Sequence, residues 1–208
     1  MSRTLISVDL DWLNRAERPL CQLRGILKHI PKKTPAIMTI QHHEFMPQLR
    51  RWIKSGKVQT PFNIMNIDEH HDYYVNHPPH DPGGDAINCG VWGYRIPLDW
   101  YSRYTWVHNG YGAFDNWDKA EQWFADVGIP CSVRDRHRLS ELNGRIVAAV
   151  FCVSPDYLDY DMWDHIHEAV EIVTDHFSLK KAPLQLKKGS ISDVDGWRMA
   201  PRPLKVRR

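Results

Sequence analysis

Apolar residues along this chain gather into short runs that stop abruptly at acids or histidines. The first run, Thr4 to Val8, leads into Asp9-Leu10-Asp11; the second, Pro35 to Ile40, into Gln41-His42-His43-Glu44; the third, Phe62 to Ile67, into Asp68-Glu69-His70-His71-Asp72. Runs of this length with polar boundaries predict buried β-strands. Between them the apolar spacing becomes helical. Ala16 to Ile30 sets Leu20, Leu23, Leu27 and Ile30 on one face, with Pro19 tolerable only in a first turn, and Phe45 to Lys57 sets out Leu49, Trp52 and Ile53. Strand and helix in alternation predict an α/β fold, three layers (α/β/α) around a mainly parallel sheet. In such a sheet the strand ends that carry the acids and histidines share one edge, which is where open α/β sheets build their sites.

The second half of the chain is patterned less sharply. Tyr73 to Gly84, rich in His, Pro, Asp and Gly, predicts a loop able to cover a site, and Asn88 to Trp100 predicts an aromatic-bearing helix interrupted at Pro97. Tyr104 to His108 predicts a strand, Asp118 to Val127 a helix stopped by Gly128-Ile129-Pro130, and Arg145 to Val153 a strong strand running into Ser154-Pro155-Asp156-Tyr157. A final amphipathic helix, Tyr160 to Phe177, turns Trp163, Ile166, Ala169, Val170 and Val173 to the sheet. The dense aromatics Trp92, Tyr94, Trp100, Tyr101, Tyr104 and Trp106 read first as core.

Composition narrows the class. With 208 residues, 42% of them hydrophobic, the chain has enough apolar material for a single substantial core, predicted over residues 1–178. No apolar run is long enough for a membrane span and Met1-Ser2-Arg3 does not open a signal peptide, so the expected setting is the cytoplasm, with no membrane partner. Cys21, Cys89, Cys131 and Cys152 form no C-x-x-C pair, which argues against a zinc knuckle or a disulfide framework. The net charge of +2 conceals an asymmetry: from Leu179 onward nine Lys or Arg face two Asp, leaving the tail at +7 and the body at −5. The tail, residues 179–208, reads as a loosely ordered basic end and not as a nucleic-acid grip, while the acidic body suits a cationic substrate.

The chemistry lies in the polar strand ends. Asp68, His70 and Asp72 stand at every second position, as do Asp9 and Asp11, so each set is predicted on one side of an extended chain. Carboxylates this close repel one another unless a cation neutralises them, and oxygen donors mixed with imidazole suit manganese, iron or zinc. With one of His42 or His43, the set comprises four carboxylates and two imidazoles. The bland alternatives are a polar turn at 68–72 and a helix cap at 9–11.

This set resembles the arginase-type ureohydrolases, whose two manganese ions are held by a D-x-H-x-D motif, a D-x-D motif and a lone histidine one helical crossover before D-x-H-x-D. The chain is much shorter than an ordinary arginase, and its D-x-D opens the sequence where the family's comes late. It is more similar to the small peptide arginases of ribosomal-peptide natural-product (proteusin-type) pathways, which convert arginine in a precursor peptide to ornithine and release urea. The resemblance implies two Mn2+ per chain, with Asp9 and Asp68 bridging, His42 and Asp72 completing one site and His70 and Asp11 the other. It further implies an acid after a late strand, here Asp156, as the clamp for the substrate guanidinium, with Glu44 next in line. His43, His71, His80 and His108 are the candidates for the proton donor to the leaving amine. Two other readings compete, a mononuclear deacetylase-like amidohydrolase and a non-catalytic metal-binding interaction module.

Overall fold

The computed structural model describes residues 2–14, 16–73, 92–109, 117–135, 145–158 and 162–179. The strands are β1 (Arg3–Asp9), β2 (Ala36–Thr39), β3 (Phe62–Ile67), β4 (Tyr101–His108), β5 (Cys131–Asp135) and β6 (Arg145–Cys152); the helices are α1 (Pro19–Leu27), α2 (Met46–Lys54), α3 (Trp117–Asp126) and α4 (Trp163–Phe177). Among the described residues the strands form one sheet in the order β2-β6-β1-β3-β4-β5, and every pairing is parallel. The expected α/β fold with helices on both faces is what forms.

Each face of the sheet has its own core. On one side Leu23, Ile26 and Leu27 of α1 and Ile166, Ala169, Val173 and Phe177 of α4 pack on Ile6, Val8, Ala149 and Phe151. On the other, Met46, Leu49 and Trp52 of α2 and Ala120 and Phe124 of α3 pack on Leu5, Ile64, Tyr104, Trp106 and Val150. Burial on both faces explains why the strands read as nearly continuous apolar runs. It also makes the few polar residues inside them informative.

Several local expectations shift. The first helix starts at Pro19 and not at Ala16, because a proline lacking its N–H fits only the first turn. Residues 42–45 form a 3-10 turn before α2, secured by a capping box in which the Gln41 and Ile40 amides donate to Glu44 Oε2 at 3.1 and 3.0 Å. In the described part of the expected 88–100 helix there are two 3-10 turns instead, Gly93–Arg95 and Leu98–Trp100, separated by Pro97. Strand β5 was not expected, since a short edge strand carrying an arginine and an aspartate has little apolar signature. Adjacency in the sheet does not follow chain order. The consecutive strands β1 and β2 are not neighbours: β6 enters between them, pairing Asp9 and Thr39 with Cys152 from either side. Residues 74–91, 110–116, 136–144 and 180–208, including Cys89, His80 and nearly all of the basic tail, lie outside the described residues.

Candidate metal centre

The centre is assembled at the carboxyl edge of β1, β3 and β6. Strand β1 delivers Asp9 at its last residue and Asp11 within the 3-10 turn Leu10–Leu13, where the Asp11 amide donates to Asp9 Oδ1 at 3.2 Å. The turn after β2 delivers His42, and the loop after β3 delivers Asp68, His70 and Asp72. Asp9, Asp11, His42, Asp68 and Asp72 are buried. Of the six, only His70 reaches solvent appreciably, with 23% of its side chain exposed.

Two groups of ligand atoms result. His42 Nδ1 lies 3.2 Å from Asp9 Oδ2, 3.5 Å from Asp68 Oδ2 and 3.2 Å from Asp72 Oδ2. His70 Nδ1 lies 3.1 Å from Asp11 Oδ2 and 3.6 Å from Asp68 Oδ1. Asp68 therefore presents one oxygen to each group, the arrangement a bridging carboxylate needs. Asp9 meets the His42 group through Oδ2 while Oδ1 takes the Asp11 amide. Alternation along a strand does not explain the division within 68–72. Strand β3 ends at Ile67, and Asp72 adopts a left-handed conformation, φ 56°, that an L-residue enters only when its surroundings hold it there. That turn carries Asp72 to the His42 group and leaves His70 beside Asp11.

The supporting contacts orient each ligand. The Ser7 hydroxyl lies 2.6 Å from His42 Nε2, which turns Nδ1 toward the carboxylates. Asn66 Nδ2 donates to Asp68 Oδ2 and Asp72 Oδ2, both at 3.2 Å, the Trp92 indole donates to Asp72 Oδ2, and the Ser154 hydroxyl donates to Asp9 Oδ2. The Trp92 ring also packs on His42, with centroids 4.8 Å apart. Its turn is clasped by Tyr73, whose hydroxyl donates to the Gly93 carbonyl at 2.8 Å and whose ring leaves no room for a Cβ at Gly93. None of Ser7, Asn66, Trp92 and Ser154 is assigned to the site from sequence, where Trp92 reads as core. Ser7 and Asn66 left a signal, as buried polar residues inside apolar strands must find partners.

Electrostatics favours an added cation. Burial and the neighbouring Asp9 and Asp68 hold the Asp11 carboxyl well above its ordinary range, and burial together with Asp72 pushes Asp68 up to about 6. Burial disfavours charge on His42 and His70, yet the carboxylates facing each ring outweigh it and raise both. The decisive observation is His42 Nδ1: fully buried, within 3.5 Å of three carboxylates, it makes no hydrogen bond of acceptable direction. A buried ring nitrogen set among three carboxylates without a well-directed hydrogen bond is a position a metal ion would use, so these residues fit one.

A pH dependence follows for protein stripped of metal. Native Asp68 keeps a proton up to about pH 6, while in the unfolded chain it is lost near the ordinary 3.8. Its contribution to stability is complete below the lower value and is lost as pH rises through the upper one. The raised Asp11 and His42 act in the same direction. Metal-free protein should therefore melt at a higher temperature near pH 5 than near pH 8, and saturating Mn2+ should reverse that order because only the deprotonated ligands bind it. Calorimetry at the two pH values checks this.

The remaining sequence candidates separate. His43 is half-buried and, among the described residues, joins no ligand group, so His42 is the histidine of the centre. His71 is fully buried: its Nδ1 accepts from the Tyr73 amide at 3.1 Å and its ring packs on Trp106 and Trp117. Its setting is that of a packed core histidine. Glu44 is exposed, and its Oε2 accepts the capping-box amides of Ile40 and Gln41. His108 ends β4 on the same sheet edge, with its ring 5.5 Å from that of Trp106. The Asp156 side chain lies outside the described residues; its backbone belongs to the 3-10 turn Pro155–Tyr157. Both flanks of that turn touch the centre, Ser154 through Asp9 and Tyr157 through His70, whose rings lie 4.9 Å apart. No protein-family model, curated protein or solved structure matches the chain.

Proposed function

We propose that this chain is a binuclear manganese hydrolase that converts arginine side chains in a peptide to ornithine with release of urea. The observation that carries the reading is Asp68, whose two oxygens face two different histidines, 3.5 Å from His42 Nδ1 and 3.6 Å from His70 Nδ1. Asp9, His42, Asp68 and Asp72 would hold one ion, and Asp11, Asp68 and His70 the other. Bound there, the pair would supply a hydroxide-strength nucleophile at neutral pH. Guanidinium is a poor electrophile, and hydrolysis of the bond between its central carbon and the side-chain nitrogen (Cζ–Nε) consumes one water to leave an amine and urea.

The chain's own residues would admit and hold the substrate. The only appreciably exposed ligand is His70, beside Tyr157, which is itself 41% exposed, so a side chain would enter across this pair. The acidic body favours a cationic guest, and Asp156, whose backbone lies on the turn between Ser154 and Tyr157, would be the acid that fixes a planar guanidinium by paired hydrogen bonds. His43 and His108 remain as proton donors near the same edge. Protein loaded with Mn2+ and incubated with free arginine, agmatine and arginine-containing peptides should release urea from the peptides, each losing the mass of cyanamide. Turnover of free arginine alone would make it an ordinary ureohydrolase; metal binding without any turnover would make it a metal-stapled interaction module.

A further inference from the structure

Cys152 occupies a position that the six predicted ligands do not explain. Strand β6 inserts it between the ends of β1 and β2, in register with Asp9 on one side and Thr39 on the other, and it is wholly buried. Its Sγ comes within 4.8 Å of a carboxylate oxygen of Asp9 and a ring nitrogen of His42. The thiol's present contacts are the Ile40 carbonyl at 3.2 Å and the Ser154 hydroxyl at 3.1 Å. Both are neutral groups that a stronger bond to sulfur could replace. The second, independent mark of a ligand position is the buried His42 Nδ1, which has no well-directed hydrogen bond and faces the same Asp9 carboxylate. Among the described residues the group around His70 comprises Asp11, Asp68 and the imidazole, with no sulfur.

We infer that Cys152 is an optional ligand to the His42-side ion, which makes this half of the centre the one that captures thiophilic metals. The inference rests on the metal-centre reading but not on the reaction proposed for it. The hard Mn2+ is satisfied by carboxylate and imidazole and leaves the thiol protonated. Softer ions such as Co2+, Zn2+ or Cd2+ reward a thiolate: the S–H bond breaks, the sulfur–metal bond forms, and one additional proton per ion passes to solvent. The two halves therefore differ in selectivity, and cadmium or zinc displaces manganese from the His42 side first.

The test uses the full chain, stripped with a chelator and titrated with Co2+ alone. Wild-type protein should develop a near-ultraviolet thiolate-to-cobalt charge-transfer band together with visible d–d bands. The variant Cys21→Ser/Cys89→Ser/Cys131→Ser should keep both, whereas Cys152→Ser should lose the charge-transfer band and keep the d–d bands. In competition, the preference for Cd2+ over Mn2+ should fall by at least about tenfold in Cys152→Ser. Bound cobalt with d–d bands but no charge-transfer band in wild type overturns the inference and leaves the metal centre standing. Failure to bind cobalt at all overturns both. Should Cys152→Ser not fold, the triple variant decides alone, since Cys152 is then the chain's one remaining thiol: a charge-transfer band there supports the inference and its absence overturns it.

Discussion

Replacement of Asp68 by Asn should strip both of the proposed manganese ions from the protein together, while Asp11→Asn should release chiefly one. The difference comes from which group each carboxylate serves. Asp68 offers Oδ2 to the His42 group and Oδ1 to the His70 group, whereas Asp11 meets only His70, at 3.1 Å. An amide in place of Asp68 removes a negative charge and offers one oxygen where two were used. Loss of a supporting contact to a metal ligand typically costs about 10–100-fold in affinity, and loss of a bridging ligand should exceed that for both ions. The variant should nonetheless fold, because Asn is nearly isosteric and removes the buried charge whose desolvation, together with repulsion from Asp72, lifts Asp68 to about 6. Elemental analysis after gel filtration should read two metals per chain for wild type, near one for Asp11→Asn and near none for Asp68→Asn. A single metal in wild type, unchanged by Asp11→Asn, would defeat the binuclear assignment.

The second large effect is expected at Asp156, with urea release from an arginine peptide falling by about a hundredfold or more in Asp156→Asn while metal content and melting temperature stay put. A guanidinium is best held by two parallel charge-assisted hydrogen bonds, and an amide can supply only one acceptor oxygen without charge. Backbone placement supports the assignment, because the turn carrying Asp156 is anchored by Ser154 to Asp9 at one end and reaches His70 through Tyr157 at the other. That turn begins from Ser154 in a left-handed conformation, φ 43°, which β6 and β2 hold in place through the Ser154 amide to the Ile40 carbonyl at 2.9 Å. If Asp156→Asn retains turnover and merely melts slightly earlier, the acid serves the turn and another group must bind the guanidinium.

What the sequence determined by itself was the material of this site. Apolar runs marked β1, β2, β3 and β6 because both faces of the sheet are buried, and the abrupt polar ends marked Asp9, Asp11, Asp68, His70 and Asp72 because ligands belong where strands stop. These are local signals, carried by neighbours in the chain. The choice between His42 and His43 was not legible, since adjacent residues at the end of a strand are distinguished only by the turn that follows, here the 3-10 turn that buries one and leaves the other half-exposed. Nor was the setting of His71 legible, since its enclosure by Tyr73, Trp106 and Trp117 is made by the tertiary structure. The division of the centre into two groups depends on the left-handed turn at Asp72, which overrides the alternation that the every-second-residue spacing suggests. Most of all, tertiary structure decided that β6, late in the chain, lies between β1 and β2. That pairing is non-local, fixed by how crossovers pack α1 and α4 on one face and α2 and α3 on the other, and it alone brings Cys152 and Ser154 to Asp9.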